Sequence, residues 1–90
     1  MGTEYPDSES VFDVKFPVDR MVDASGLRCP LPLLRAKQAV NQLQSQQVLL
    51  LVATDVGADR DIPAWIQLSG HQLLLHSTND AVREFYIRKK

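Results

Sequence analysis

Val48-Leu49-Leu50-Leu51-Val52-Ala53 is a run of six apolar residues with Gln46-Gln47 before it and Thr54-Asp55 after it. The run is strand-length and lacks the alternation of a strand with one wet face, so it predicts a central strand covered on both faces. The other segments must then supply its neighbours and its cover. Arg20-Met21-Val22-Asp23-Ala24 is a short strand closed by Ser25-Gly26. From Pro32 to about Gln44, Leu33, Ala36, Val40 and Leu43 recur at three- and four-residue steps, which predicts an amphipathic helix. A second helix is expected from Arg60 to Leu68, with Asp59 as its N-cap, Ile62, Trp65 and Ile66 facing inward, and Gly70 beyond its end. Gln72 to His76 and Val82 to Arg88 read as strands, joined by the turn-forming Ser77-Thr78-Asn79-Asp80. Phe12-Asp13-Val14-Lys15-Phe16 alternates as an additional N-terminal edge strand would and stops at Pro17. The order strand, helix, strand, helix, strand, strand predicts a two-layer α/β sandwich.

At 90 residues the chain has room for one domain and a surface site, not for a deep cavity of its own. Residues 1–18 are expected to be a largely mobile extension and residues 19–90 the folded domain. With 44% apolar and 23% charged residues and no apolar run of the ~20 residues a membrane span needs, no membrane partner is expected. The polar start MGTEYPDSES lacks the pattern of a secretory signal, and the single cysteine has no internal disulfide partner, so a reducing cytoplasm is the expected location. A net charge of −1 argues against direct nucleic-acid binding. The protein is expected to be a monomer when free.

The cysteine sits in Gly26-Leu27-Arg28-Cys29-Pro30-Leu31-Pro32-Leu33-Leu34. Proline is tolerated in the first helical turn and pushes its predecessor out of the α region, so Pro30 and Pro32 support a helix start at either one. Cys29 should then be extended, at the N-cap or one residue before it, near the positive end of the helix dipole and beside Arg28. Both neighbours should favour the thiolate, which marks Cys29 as a nucleophile. Leu31 and Leu34 fall away from the apolar stripe of the helix and should be exposed, forming a docking patch beside the sulfur.

The remaining candidates have simpler readings. Cys29, His71, His76 and Asp55 lack the short spacings of structural zinc sites, so no metal and no cofactor are expected. His71 should hydrogen-bond the backbone and His76 should be solvated. A thiol protease would need a histidine partner and a cleft that so short a chain does not provide. Asp55, Asp59 and Asp61 surround the second helix start, where carboxylates suit capping, with Asp55 the one most suited to a functional role. Arg88-Lys89-Lys90 reads as a solvated terminus.

Asp23-x-x-Gly26-Leu27-x-Cys29-Pro30-x-Pro32, with Lys37, Thr54-Asp55, Asp59-x-Asp61-Ile62-Pro63-x-Trp65, Gly70-His71 and Ile87-Arg88-Lys89, resembles the TusA family of sulfur carriers, also called SirA- or YedF-like. The resemblance covers about residues 20 to 90. It implies a βαβαββ fold like the C-terminal domain of initiation factor three, with two helices packed on one face of a four-stranded mixed sheet. It implies a sulfur carrier in which Cys29 takes persulfide sulfur from a cysteine desulfurase and relays it to an acceptor protein, for tRNA thiolation or cofactor sulfuration. Arg28, Leu31, Leu34, Lys37 and Asp55 become the partner-facing set, and catalysis in the strict sense belongs to the partners. The alternative is a non-catalytic protein- or RNA-binding regulatory module. Val56 stands where the family commonly has proline, and Gln46-Gln47 where it has a glycine-acid pair.

Overall fold

The computed structural model describes residues 16–90. The elements run β1 (Arg20–Ala24), α1 (Leu31–Asn41), β2 (Val48–Ala53), α2 (Ala58–Ser69), β3 (Gln72–Asn79) and β4 (Val82–Arg88). The four strands form one mixed sheet in the order β1-β2-β4-β3. The expected Phe12–Phe16 strand lies outside the described residues except for Phe16.

β2 is the central strand that its composition requires: all six residues are buried. It pairs parallel with β1, Arg20 opposite Leu49 through Ala24 opposite Ala53, and antiparallel with β4, Val48 opposite Arg88 through Ala53 opposite Arg83. Because strand side chains alternate, Leu49, Leu51 and Ala53 face the helices while Leu50 and Val52 face the other way. The helix-side core joins these three to Ala36 and Val40 of α1, Leu43 just past its end, Ile62 and Ile66 of α2, and Phe85 and Ile87 of β4. On the opposite face Leu50, Val52 and Tyr86 are covered by Phe16, Val18, Leu74, Leu75 and Val82, with the Phe16 ring 5.4 Å from that of Tyr86. Both helices thus lie on one face, and the continuous apolar run is explained by cover on each side.

Several boundaries differ from the sequence expectation. α1 begins at Leu31 with Pro30 as N-cap and Pro32 in its first turn, and it ends at Asn41, short of Gln44. Its inward face includes Pro32 and Ala39 beside the expected residues, while Leu33 is half-buried. α2 begins two residues before Arg60, and its cap is Gly57, not Asp59. Trp65 packs against the core but stays half-exposed, its ring edge-on to His71 at 5.4 Å. β3 runs through Asn79, so the turn to β4 is only Asp80-Ala81; Asp80 takes φ 58, a region that Asp tolerates. The end of the chain is tied down: the Lys89 amine donates to the Leu43 carbonyl, and the Lys90 N–H donates to His71 Nδ1 at 3.0 Å. That last bond gives His71 the backbone partner expected of it.

Removing the fully buried Leu51 side chain leaves a cavity in the helix-side core, at a cost of about 2–5 kcal/mol for a buried leucine. Leu51→Ala should therefore lower the melting temperature by about 8 °C or more for a domain of this size. Leu68→Ala, at a position 88% exposed, should stay within about 0.5 kcal/mol of the parent. Circular-dichroism melts check both.

Candidate functional site

Parallel pairing of β1 and β2 brings the loops that leave their C-terminal ends, and the helix starts that follow, to one end of the sheet, where open α/β sheets place ligands. The first loop carries Cys29. Leu27 N–H bonds the Ala24 carbonyl at 3.1 Å, closing a turn in which Gly26 has φ 82, a value that disfavours any side chain. The Asp23 carboxylate accepts Ser25 N–H, and hydrogen bonding from the Ser25 side chain, with this backbone bond second, holds its pKa below the ordinary range against desolvation. Gly26 N–H reaches across to Thr54 Oγ1 at 2.8 Å and fastens this loop to the one after β2. Cys29 lies exposed one residue before the N-cap, followed by a cis peptide to Pro30.

The second loop closes against the thiol. The Asp55 carboxylate accepts Gly57 N–H at 3.0 Å. A side chain at Gly57 would meet that carboxylate at 2.8 Å and force it to shift, while its contact with Cys29 Cβ at 3.6 Å would be an ordinary one. From the first turn of α2, Asp61 reaches the sulfur: Cys29 Sγ donates to Asp61 Oδ2 at 3.2 Å. Asp61 Oδ1 accepts from Arg60 Nε at 3.3 Å.

This arrangement corrects the expected activation of Cys29. The Asp61 carboxylate, by accepting the thiol hydrogen, pushes the Cys29 pKa above its ordinary value; desolvation and the charges of Asp61 and Asp55 push the same way, and Arg60 opposes them. Arg28 does not enter that balance. Correspondingly, the thiol bond holds the Asp61 carboxyl below its ordinary range against desolvation, with Arg60 adding to it. The dipole expectation fails for a reason present in the motif itself. Pro30 and Pro32 have no N–H, and the Leu31 N–H is spent on the Arg28 carbonyl at 2.8 Å. The prolines that place the sulfur at a helix start also strip that start of the donors that would stabilise a thiolate.

The other site residues fall as follows. Leu31 and Leu34 are 44% and 45% exposed beside Cys29, as their spacing predicts. Lys37 is exposed one turn beyond Leu34, and Arg28 is exposed beside the thiol. Val56, in the second loop, is 70% exposed. Asp59 does not cap α2: its two oxygens hold His76 Nε2 at 2.8 Å and Arg83 Nε at 3.0 Å. His76 is accordingly not a solvated residue; it is half-buried, with its ring stacked on Phe85 at 4.3 Å. Arg83 also donates to the Ala81 carbonyl at 2.8 Å. This cluster ties the start of α2 to the β3–β4 hairpin. Neither histidine bonds the thiol, and among the described residues no group of three or more His, Cys, Asp and Glu converges as a metal site. Asp61 and Gly57 are the members that sequence reading missed; parallel β1 and β2, which put both helix starts at one end, are the signal that points to them. Among the described residues no helix is long and apolar enough to cross a membrane.

Fold and site define a class: small βαβαββ proteins that expose one cysteine ahead of a proline-led first helix. Residues 20–89 match the family model described as Sulfurtransferase TusA, and the chain belongs to the TusA family. It is 44% identical over 71 residues to YrkI of Bacillus subtilis (strain 168), covering 79% of this chain and 95% of that one. It is 42% identical over 71 residues to the sulfur carrier protein TusA of Allochromatium vinosum, covering 79% of this chain and 93% of the relative. The crystal structure of a SirA-like protein from Desulfitobacterium hafniense shares the fold, with a TM-score of 0.69 and 24% identity over 77% of this chain and 95% of that one.

Two outcomes follow from the electrostatics. Burial pushes the Asp59 carboxyl up, but hydrogen bonds and charge from His76 and Arg83 outweigh it, and the net direction is down. A depressed folded pKa contributes stability that is present above the unfolded value, about 4, and lost as pH falls through the folded one. Asp59→Asn should therefore melt below the parent at pH 6, with the gap closing as the pH approaches 3. For the thiol, the rate of iodoacetamide alkylation against pH should show an inflection at or above the free-cysteine value of about 8.5, unmoved by Arg28→Ala.

Proposed function

We propose that the protein is a sulfur carrier in which Cys29 accepts persulfide sulfur from a cysteine desulfurase and passes it to an acceptor protein in tRNA thiolation or cofactor sulfuration. The observation that carries this reading is the placement of Cys29: exposed, at the tip formed by two helix starts, in a chain of the TusA family. In the loading step the Cys29 sulfur attacks the terminal sulfur of the donor's persulfide. The new Cys29 S–S bond forms as the donor's S–S bond breaks, and the donor sulfur leaves with the electron pair. The proton lost by Cys29 ends on the departing thiolate, so the exchange is balanced without an outside oxidant. Delivery is the same exchange with an acceptor thiol as attacker.

The chain offers the sulfur no enclosure of its own, so water must be excluded by the partner. Leu31 and Leu34 present apolar surface beside the thiol, Val56 is exposed on the second loop, and Arg28, Lys37 and Asp55 bring charge to the two loops and α1. Docking of a partner's active site over this patch dries the sulfur during transfer. A binding module that works without sulfur transfer would have no use for the thiol, and the function as a carrier is therefore tested at Cys29.

Incubation with a cysteine desulfurase and cysteine should add the mass of one sulfur or more to the intact protein, removable by reductant and abolished in Cys29→Ser. Leu31→Glu and Leu34→Glu should melt within about 0.5 kcal/mol of the parent. Their sulfur acceptance should fall about tenfold or more, since burying a leucine at an interface is worth on the order of 1.5–3 kcal/mol. A parent protein that stays unloaded under these conditions would remove the carrier reading.

A further inference from the structure

Asp61 is the only carboxylate that touches the sulfur among the described residues, and the contact exists in only one of the two states a carrier must visit. In the empty protein the Sγ–H group donates to Asp61 Oδ2 at 3.2 Å. Once Sγ carries a second sulfur it has no hydrogen to give; the remaining proton lies on the outer sulfur, one S–S bond of about 2 Å further out, and the carboxylate beside Sγ then faces sulfur lone pairs. The opposite oxygen of Asp61 accepts from Arg60 Nε at 3.3 Å, a contact that favours the anionic carboxylate weakly because the arginine side chain is 81% exposed. Asp61 itself is fixed in the first turn of α2, where a negative charge is favoured.

We propose that Asp61 is a positioning residue that holds empty Cys29 as a protonated thiol and thereby biases the carrier towards giving its sulfur away. The proposal rests on the carrier reading of Cys29. A hydrogen bond to a charged acceptor is about twice as strong as a neutral one, so the empty state gains an interaction that the loaded state lacks. The exchange equilibrium is displaced towards the empty carrier by that difference. The same bond keeps the free carrier slow towards adventitious electrophiles, because the thiolate, not the thiol, is the nucleophile. The charged groups bearing on the sulfur are Asp61 and Asp55, which disfavour the thiolate, and Arg60, which favours it. Of these only Asp61 makes a hydrogen bond to it.

The test uses the full chain in two assays that need no desulfurase. In the first, iodoacetamide alkylation is followed against pH for wild type, Asp61→Asn, Asp61→Ala and Asp55→Asn. Asp61→Asn should lower the inflection by about one unit. At pH 7 that raises the thiolate fraction about tenfold, and the lower nucleophilicity of a more acidic thiol takes back about threefold, for a net gain of about three- to fourfold in rate. Asp61→Ala should shift the inflection in the same direction, and Asp55→Asn, which removes charge without a hydrogen bond to sulfur, by clearly less. In the second assay, exchange with a glutathione persulfide and glutathione mixture is read by intact mass, and the loading equilibrium constant should rise about threefold or more in both Asp61 variants. An inflection that stays or rises in both variants overturns the proposal, as does a loading equilibrium equal to that of wild type. An Asp55→Asn shift as large as that of Asp61→Asn also overturns it, by assigning the effect to the field of the cluster. If a desulfurase fails to load the wild type while these assays behave as expected, the carrier reading is lost and the proton-holding role of Asp61 stands.

Discussion

The parallel pairing of β1 with β2 is the constraint on which the site depends. A parallel pair needs a crossover, here α1, and the chain leaves both strands at the same end of the sheet. Two loops that are 28 residues apart in sequence are therefore neighbours, as the bond from Gly26 N–H to Thr54 Oγ1 records. An antiparallel β1 would send Cys29 to the other end of β2, away from Asp55 and Asp61. β2 makes the pairing robust: with β1 on one side, β4 on the other and side chains covering both faces, a one-residue slip would exchange Leu49 and Leu51 for Leu50 and Val52 against the helices and rearrange every contact of the core.

Within that frame the two prolines and the acidic cluster have opposing effects on the same atom. Pro30 and Pro32 hold the chain so that the sulfur stands clear of the helix, and they withdraw the amides that would have stabilised its anion. Asp61 then supplies an acceptor that favours the proton. Exposure and activation are separated here: the sulfur is open to a protein partner while its hydrogen is held by the Asp61 carboxylate.

Much of this was legible in the chain. The continuous apolar run of β2 could only be a doubly covered strand, and the steps between Ala36, Val40 and Leu43 placed Leu31 and Leu34 outside by elimination. Those readings rest on periodicity, which is local. What escaped depends on contacts between distant segments. Asp59, Asp61 and Asp55 look alike as carboxylates near a helix start, and only tertiary structure assigns one to His76 and Arg83, one to the thiol and one to the Gly57 amide. The α2 start was misplaced for a related reason: with Gly57 as cap, the helix begins on glycine and alanine, which carry none of the side-chain capping signals by which a start is recognised. The shorter β3–β4 turn escaped because Ser77, Thr78 and Asn79 favour turns by composition, yet each finds a partner on β4.

The direction of the Cys29 shift is the point at which local reasoning gave the wrong sign, and magnitudes say why. An exposed helix terminus is worth about 0.3–1 kcal/mol to a nearby charge, and that figure assumes free amides in the first turn. With two of them absent and one engaged, the dipole contribution at Cys29 falls towards the bottom of the range. The hydrogen bond from Cys29 Sγ to the Asp61 carboxylate is direct, and a charged acceptor makes such a bond stronger than a neutral one. That bond is the leading influence on Cys29, so one side chain from the first turn of α2 sets the direction of the shift against what the neighbours in sequence suggest.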